Sequence, residues 1–156
     1  MTTSNTRLLV VDTSVVQSAG ETEHRVSSSC RNCLEAIRRI CHRVAVTPPI
    51  REEWNRHMSR FSRKWRRSMA ARRKPLKDVV PASVPIDLSM YAKSAREEID
   101  KDMCLLGAAL AADRIIVTRD ESLKSVLKQR PDGMTLLQSI TWINPVTDGA
   151  EALEAL

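Results

Sequence analysis

The sequence predicts an α/β protein with a central parallel sheet of four to five strands. Short, unbroken apolar runs recur at residues 7–11, 43–47, 114–118 and 139–143, as in strands buried on both faces. Segments of helical character separate them. This alternation implies a parallel sheet with right-handed crossovers, in which strands end and helices begin at one carboxyl edge. The 156 residues, without internal repeat, fit a single domain over 1–156.

The first strand runs straight into Asp12, Thr13 and Ser14. Residues 17–29 are polar and read as a mobile connection. Residues 32–42 read as a helix with Leu34, Ile37 and Ile40 on one side. After the second strand, Pro48 and Pro49 mark the first turn of another helix. Its apolar stripe is Ile50, Trp54, Met58, Phe61, Trp65 and Met69, at three- and four-residue steps. The stripe reads as core packing; a homodimer or a partner groove is the alternative use of such a face. Arg56, Arg60, Arg63 and Arg67 repeat the steps two residues later, about 200° around the helix and therefore opposite the stripe. Lys74 and Pro75 end this helix, and 79–85 is a proline-punctuated connector.

Asp87 or Ser89 caps a helix through Glu98, and a further helix runs over 103–112 behind Asp100 and Asp102. The third strand leads to Asp120, with a helix over 121–129. Pro131, Asp132 and Gly133 read as a turn. The fourth strand follows, and a small helix through Leu156 closes the chain.

The formal net charge of +6 is unevenly spread. Residues 51–77 hold eleven cations against Glu52 and Glu53, a net of +9, which leaves −3 for the rest. A mildly acidic body carrying one basic helix suggests a polyanion partner, RNA or DNA first, set against a merely solvated face. Cys30, Cys33, Cys41 and His42 have spacings that invite a zinc site, but three of them fit one helical segment, which favours ordinary reduced thiols. No apolar run has the length of a membrane span, and no apolar signal region precedes the first strand, so the expected location is cytoplasmic.

The expected topology gathers four acids. Asp12 and Asp120 end strands, Glu53 lies early in the helix after the second strand, and Asp102 opens the helix before the third. All four fall at the carboxyl edge. Neighbouring carboxylates repel unless a cation neutralises them, and Mg²⁺ or Mn²⁺ suits an all-oxygen donor set. Singly, each acid also has a plain role as a helix cap or first-turn residue.

Four motifs carry a family resemblance. They are Val10-Val11-Asp12-Thr13-Ser14, Thr47-Pro48-Pro49-Ile50-Arg51-Glu52-Glu53, Asp102-Met103-Cys104-Leu105-Leu106-Gly107-Ala108-Ala109 and Ile116-Val117-Thr118-Arg119-Asp120. In this order and spacing the chain resembles the PIN-domain proteins over nearly its whole length. The resemblance implies a Rossmann-like α/β/α sandwich and Mg²⁺- or Mn²⁺-dependent cleavage of single-stranded RNA. Many members are the toxin of a toxin–antitoxin pair, so a small acidic antitoxin protein is an implied partner. By motif position, Asp12, Glu53, Asp102 and Asp120 are the acidic residues and Thr118 the accompanying hydroxyl. Ser14 stands where many members have asparagine. Asp100 is placed as a supporting carboxylate.

The implied chemistry is metal-assisted phosphodiester hydrolysis, with Asp102 assigned the proton of the attacking water. Arg60 is seven residues beyond Glu53 and nearly in line with it on an unbroken helix, so the face of Arg56, Arg60, Arg63 and Arg67 starts at the metal site and holds the RNA backbone. A noncatalytic nucleic-acid-binding or scaffold subunit using the basic helix 51–77 is the alternative. A haloacid-dehalogenase-like site lacks its second aspartate, since that position is Ser14. A phosphate loop lacks its glycines, with 4 in the whole chain.

Overall fold

The computed structural model describes residues 6–72 and 75–156; Met1–Asn5, Arg73 and Lys74, including the expected helix end at Lys74, lie outside the described residues. Five parallel strands form one sheet. They are β1 (Leu8–Val11), β2 (Arg43–Val46), β3 (Leu76–Asp78), β4 (Ile115–Val117) and β5 (Thr141–Ile143), in the spatial order β3-β2-β1-β4-β5. The chain winds outward from β1 to β3, then returns to the other side of β1 for β4 and β5. Flanking helices complete a Rossmann-like α/β/α sandwich. The central strands are buried on both faces, which explains their unbroken apolar runs.

On the outward path lie α1 (Thr13–Ser18), α2 (Arg25–Ile40), α3 (Pro48–His57) and α4 (Arg60–Ala71). The return carries α5 (Lys93–Lys101) and α6 (Met103–Leu110), and α7 (Ser122–Leu127) and α8 (Pro131–Ser139) join β4 to β5. A short α9 (Glu151–Glu154) packs on α2. Among the described residues no helix is long and apolar enough to cross a membrane.

Five elements depart from the sequence expectation. The helix expected from Asp87 or Ser89 through Glu98 is a 3-10 turn over Leu88–Met90, capped by Asp87, and then α5, which starts at Lys93 and runs on to Lys101. The polar stretch 17–29 is largely helical, because α2 begins at Arg25, where His24 Nδ1 accepts from Val26 N–H. Its serines sit outside a buried face of Cys30, Cys33, Leu34 and Ile37. Burial pushes the Cys30 thiol up to about 11 and the Cys33 thiol up to about 12, Cys41 is exposed, and among the described residues these cysteines and His42 do not come together as a group of metal-ligand atoms.

The single helix expected from Pro49 to Lys74 is two helices. The chain turns extended at Met58 and Ser59, where Ser59 Oγ accepts from Ser62 N–H at 3.1 Å and caps α4. The apolar stripe survives the break, with Ile50, Trp54, Met58, Trp65 and Met69 all buried. Two indoles fix the pair. Trp54 Nε1 donates to the Val11 carbonyl at 3.2 Å, holding α3 over the end of β1, and Trp65 Nε1 donates to the Leu34 carbonyl at 2.8 Å, holding α4 on α2.

β3 was not expected. It is a three-residue edge strand whose Lys77 and Asp78 are exposed, so it carries no apolar signature. The turn expected at Pro131–Gly133 is instead the first turn of α8, with proline at its start. Gly133 is required there: a Cβ would lie 2.2 Å from the Leu127 carbonyl oxygen and 2.3 Å from the Tyr91 hydroxyl.

Candidate metal centre

The change in winding direction places β1 beside β4, with Val11 opposite Val117. Beyond the carboxyl ends of two such strands the outgoing segments diverge and leave a crevice, where open α/β sheets bind ligands. A cleft of about 650 Å³ opens there. Asp12, Ser14, Glu53, His57, Lys101, Asp102, Cys104, Arg119 and Asp120 contribute to its lining.

Asp12 follows β1 directly. Its backbone N–H bonds to the Val117 carbonyl at 2.9 Å, and its carboxylate does not cap α1. Instead Oδ2 accepts from Ser14 Oγ at 2.7 Å and from Thr118 Oγ1 at 2.8 Å. Each hydroxyl spends its one hydrogen on Asp12 and accepts a backbone N–H in return: Arg119 N–H reaches Ser14 Oγ at 3.1 Å, and Asp120 N–H reaches Thr118 Oγ1 at 3.0 Å. Among the described residues Oδ1 of Asp12 accepts no hydrogen bond. Ser14 thus does, with a hydroxyl, a carboxylate-orienting job.

Asp102 sits at the joint between α5 and α6, with φ −106° and ψ 13°. It caps neither helix, which removes its plain structural role. Burial, the nearby Asp12 carboxylate, then Asp120 and Glu98 raise its pKa from 3.8 to about 7, with Lys101 opposing. Asp120 does serve partly as a cap. Its Oδ1 accepts from Ser122 N–H at 2.9 Å and from Ser122 Oγ, and these bonds hold its carboxyl below the usual range although burial acts the other way.

Glu98 was missed in the sequence. Carboxylate oxygens of Glu98, Asp102 and Asp120 all lie within 4.8 Å of one another. Ser122 Oγ contacts both Glu98 Oε1, at 2.6 Å, and Asp120 Oδ1. The available signal was the four-residue step from Glu98 to Asp102, one helical turn. Asp100 lies two residues round the same helix, about 200° from Glu98. It is exposed, outside the cleft, beside a hollow lined with Lys93, Arg96 and Glu97. The carboxylate that the structure brings to Asp102 and Asp120 is therefore Glu98 and not Asp100.

Glu53 faces the cluster from α3. It lines the cleft, it stays outside the three-carboxylate group, and its nearest ionic neighbour is His57 at 3.7 Å. The arginines do not form the continuous face expected. Arg56 pairs with Glu52 at 2.6 Å, and the break after His57 separates Arg60 from the axis of Glu53. Arg63 and Arg67 line a second hollow between α3 and α4.

The donor set suits a hard divalent cation. Glu98, Asp102 and Asp120 form the close group, Asp12 lies outside it on the same cleft, and all four offer only carboxylate oxygens; Lys101, 3.5 Å from Glu98, is the one cation paired with the group among the described residues. Burial first, and then the Asp12, Asp120 and Glu98 carboxylates, raise the Asp102 carboxyl, and a cation there would relieve the repulsion among these acids. Neither a protein-family model, nor a curated protein, nor a solved structure matches this chain.

Proposed function

We propose that this protein is a PIN-type, Mg²⁺- or Mn²⁺-dependent endoribonuclease that hydrolyses phosphodiester bonds of single-stranded RNA. The supporting observation is the convergence of acids from β1, the α5–α6 joint and the end of β4 at one strand-end crevice, with the Asp102 pKa raised by burial and then by the neighbouring acids. The resemblance of the four motifs supplies the reaction class. A metal-free binding module would have no use for carboxylates packed so closely without cations, at a cost in repulsion.

Asp12, Asp102 and Asp120, with Glu98 beside them, would hold the cation. When bound, it supplies Lewis acidity and positive charge toward a phosphodiester. Ser14 and Thr118 fix the rotamer of Asp12, and Ser122 fixes Asp120 relative to Glu98. Glu53 is better suited than Asp102 to accept the proton of the attacking water, because Asp102 is committed to the cluster whereas Glu53 stands apart with His57 as its neighbour. Arg119, whose Nη1 bonds Ser18 Oγ at 2.6 Å, and Lys101 line the cleft and would meet the substrate phosphate. A toxin role, with a small acidic antitoxin as partner, extends this reading; a short acidic gene beside this one would support it.

The test is cleavage of single-stranded RNA with Mn²⁺ or Mg²⁺, with and without chelator, by the wild type and Asp12→Asn. Metal-dependent cleavage lost in the variant is expected. Cleavage that resists chelator, or an undiminished variant, overturns the proposal.

A further inference from the structure

The last turn of α3 and the middle of α4 enclose a hollow of about 310 Å³, lined by Trp54, Asn55, Met58, Arg63, Arg66 and Arg67. Three guanidinium groups share it, and among the described residues no carboxylate lines it. Nearby acids are engaged elsewhere: Glu52 holds Arg56 at 2.6 Å and Asp78 holds Arg51 at 2.7 Å. Arg66 is positioned, not loose. Its guanidinium lies 5.8 Å over the Trp54 ring, and its Nη1 donates to Asn55 Oδ1 at 2.6 Å. Arg63 Nε is bonded to the Met58 carbonyl at 3.3 Å. The helix break creates this arrangement, because on one straight helix Asn55 and Arg66 would lie three turns apart.

Like charges gathered without counter-charge match an anion with several acceptor oxygens, and arginine forks match a phosphate best. Trp54 is fully buried, so the hollow offers no aromatic face on which a base would stack. Its position links it to the cleft. Glu53 and His57 line the cleft, and the adjacent residues Trp54 and Met58 line the hollow, about 100° around α3. A strand leaving the cleft over the end of α3 reaches the hollow next.

We propose that the Arg63–Arg66–Arg67 hollow seats a backbone phosphate of the single-stranded nucleic acid whose cleavable bond lies in the acidic cleft. It rests on the nuclease reading, but binding can be read without cleavage. The contact is to backbone and independent of base identity.

The experiment is fluorescence anisotropy of a short, labelled 2′-O-methyl RNA on the full chain, in chelator, over a salt series. Arg63→Gln/Arg67→Gln is expected to weaken binding about tenfold and to lower the salt slope by about 0.7, the share of one phosphate contact on a single strand. Lys93→Gln/Lys128→Gln removes equal charge outside the acidic cleft and the arginine hollow and should leave affinity and slope near wild type. Arg66→Lys keeps the charge and loses the fork; weaker binding at an unchanged melting temperature supports a seated phosphate. Wild-type affinity and slope in the double variant overturn the proposal, as does an equal loss in the Lys93/Lys128 variant. Binding of polyglutamate with no binding of the oligonucleotide also overturns it. Oligonucleotide binding through these arginines without metal-dependent cleavage would fail the nuclease reading alone; cleavage with an unaffected double variant would fail the hollow alone.

Discussion

Thr118 Oγ1 donates to Asp12 Oδ2 at 2.8 Å across 106 residues of chain, and accepts Asp120 N–H at 3.0 Å. One hydroxyl thus fixes the carboxylate that ends β1 and the backbone that presents the carboxylate beyond β4. Thr118 is 4% exposed, so water cannot readily replace it. Thr118→Val keeps the shape and leaves Asp120 N–H without its acceptor. We expect a loss of about 1–2 kcal/mol in chemical denaturation. Mn²⁺ affinity by calorimetry should fall at least about tenfold, as when a partner that orients a metal ligand is removed. Thr118→Ser should recover most of the affinity. Unchanged affinity in the valine variant would mean that Asp12 needs no orientation.

Asp102 sets a pH dependence opposite to that of most carboxylates. Its pKa rises from 3.8 to about 7 on folding, first through burial and then through Asp12. The folded chain therefore keeps a proton that the unfolded chain loses, and metal-free stability falls as pH rises from about 4 to about 7. Asp120, held low, contributes in the other sense, but only where pH falls through the acid range below that window. Thermal melts in chelator should show the decline in the wild type and lose it in Asp102→Asn, which should be the more stable protein at pH 8. Saturating Mn²⁺ should restore the wild type at pH 8 and do little for the variant. A wild-type profile that is flat or rising across the window would contradict the placement of Asp102.

The strands β1, β2 and β4 were legible because each carries an unbroken run of three or four apolar residues, and the acids after β1 and β4 followed from topology alone. β3 was not, since an exposed three-residue edge offers Lys77 and Asp78 where a pattern would need apolar residues. The break at Ser59 was hidden for a different reason. The stripe from Ile50 to Met69 keeps its helical step through the break, because both helices bury the same side. Only the capping preference of serine marked it. Glu98 escaped because its group forms at the α5–α6 joint, where the direction of the chain at Asp102 depends on packing and not on local pattern. With α5 ended at Glu98, Asp100 looked nearer to the site than it is.

Ser59 is the residue that makes the break productive. Its hydroxyl accepts from Ser62 N–H and donates to the Ala19 carbonyl, and its own N–H bonds to the Val16 carbonyl at 3.0 Å. Ser59→Ala should cost about 1–2 kcal/mol in urea unfolding, the usual cost of a lost helix N-cap. Asp12, Glu98, Asp102 and Asp120 stand on other segments, so Mn²⁺ affinity should stay within about twofold of wild type, well under the 1.4 kcal/mol of a tenfold change. A large loss of Mn²⁺ affinity would show that α3 and α4 position the acids more directly than their bonds to Val11 and Leu34 suggest.

Glu53 and Asp102 face the same cleft with different surroundings, and substitution should separate their roles. Asp102 lies with Glu98 and Asp120 inside a 4.8 Å group, whereas Glu53 stands outside it on α3 beside His57. Asp102→Asn removes a carboxylate from the group and should lower Mn²⁺ affinity and cleavage together. Glu53→Gln keeps the shape and removes the proton acceptor. It should leave Mn²⁺ affinity within about threefold of wild type and lower the cleavage rate by about 10²-fold or more, the usual range for a lost general base. If Glu53→Gln instead loses Mn²⁺ in proportion to its rate, Glu53 is a ligand, and the proton must go elsewhere, with His57 the next group along α3.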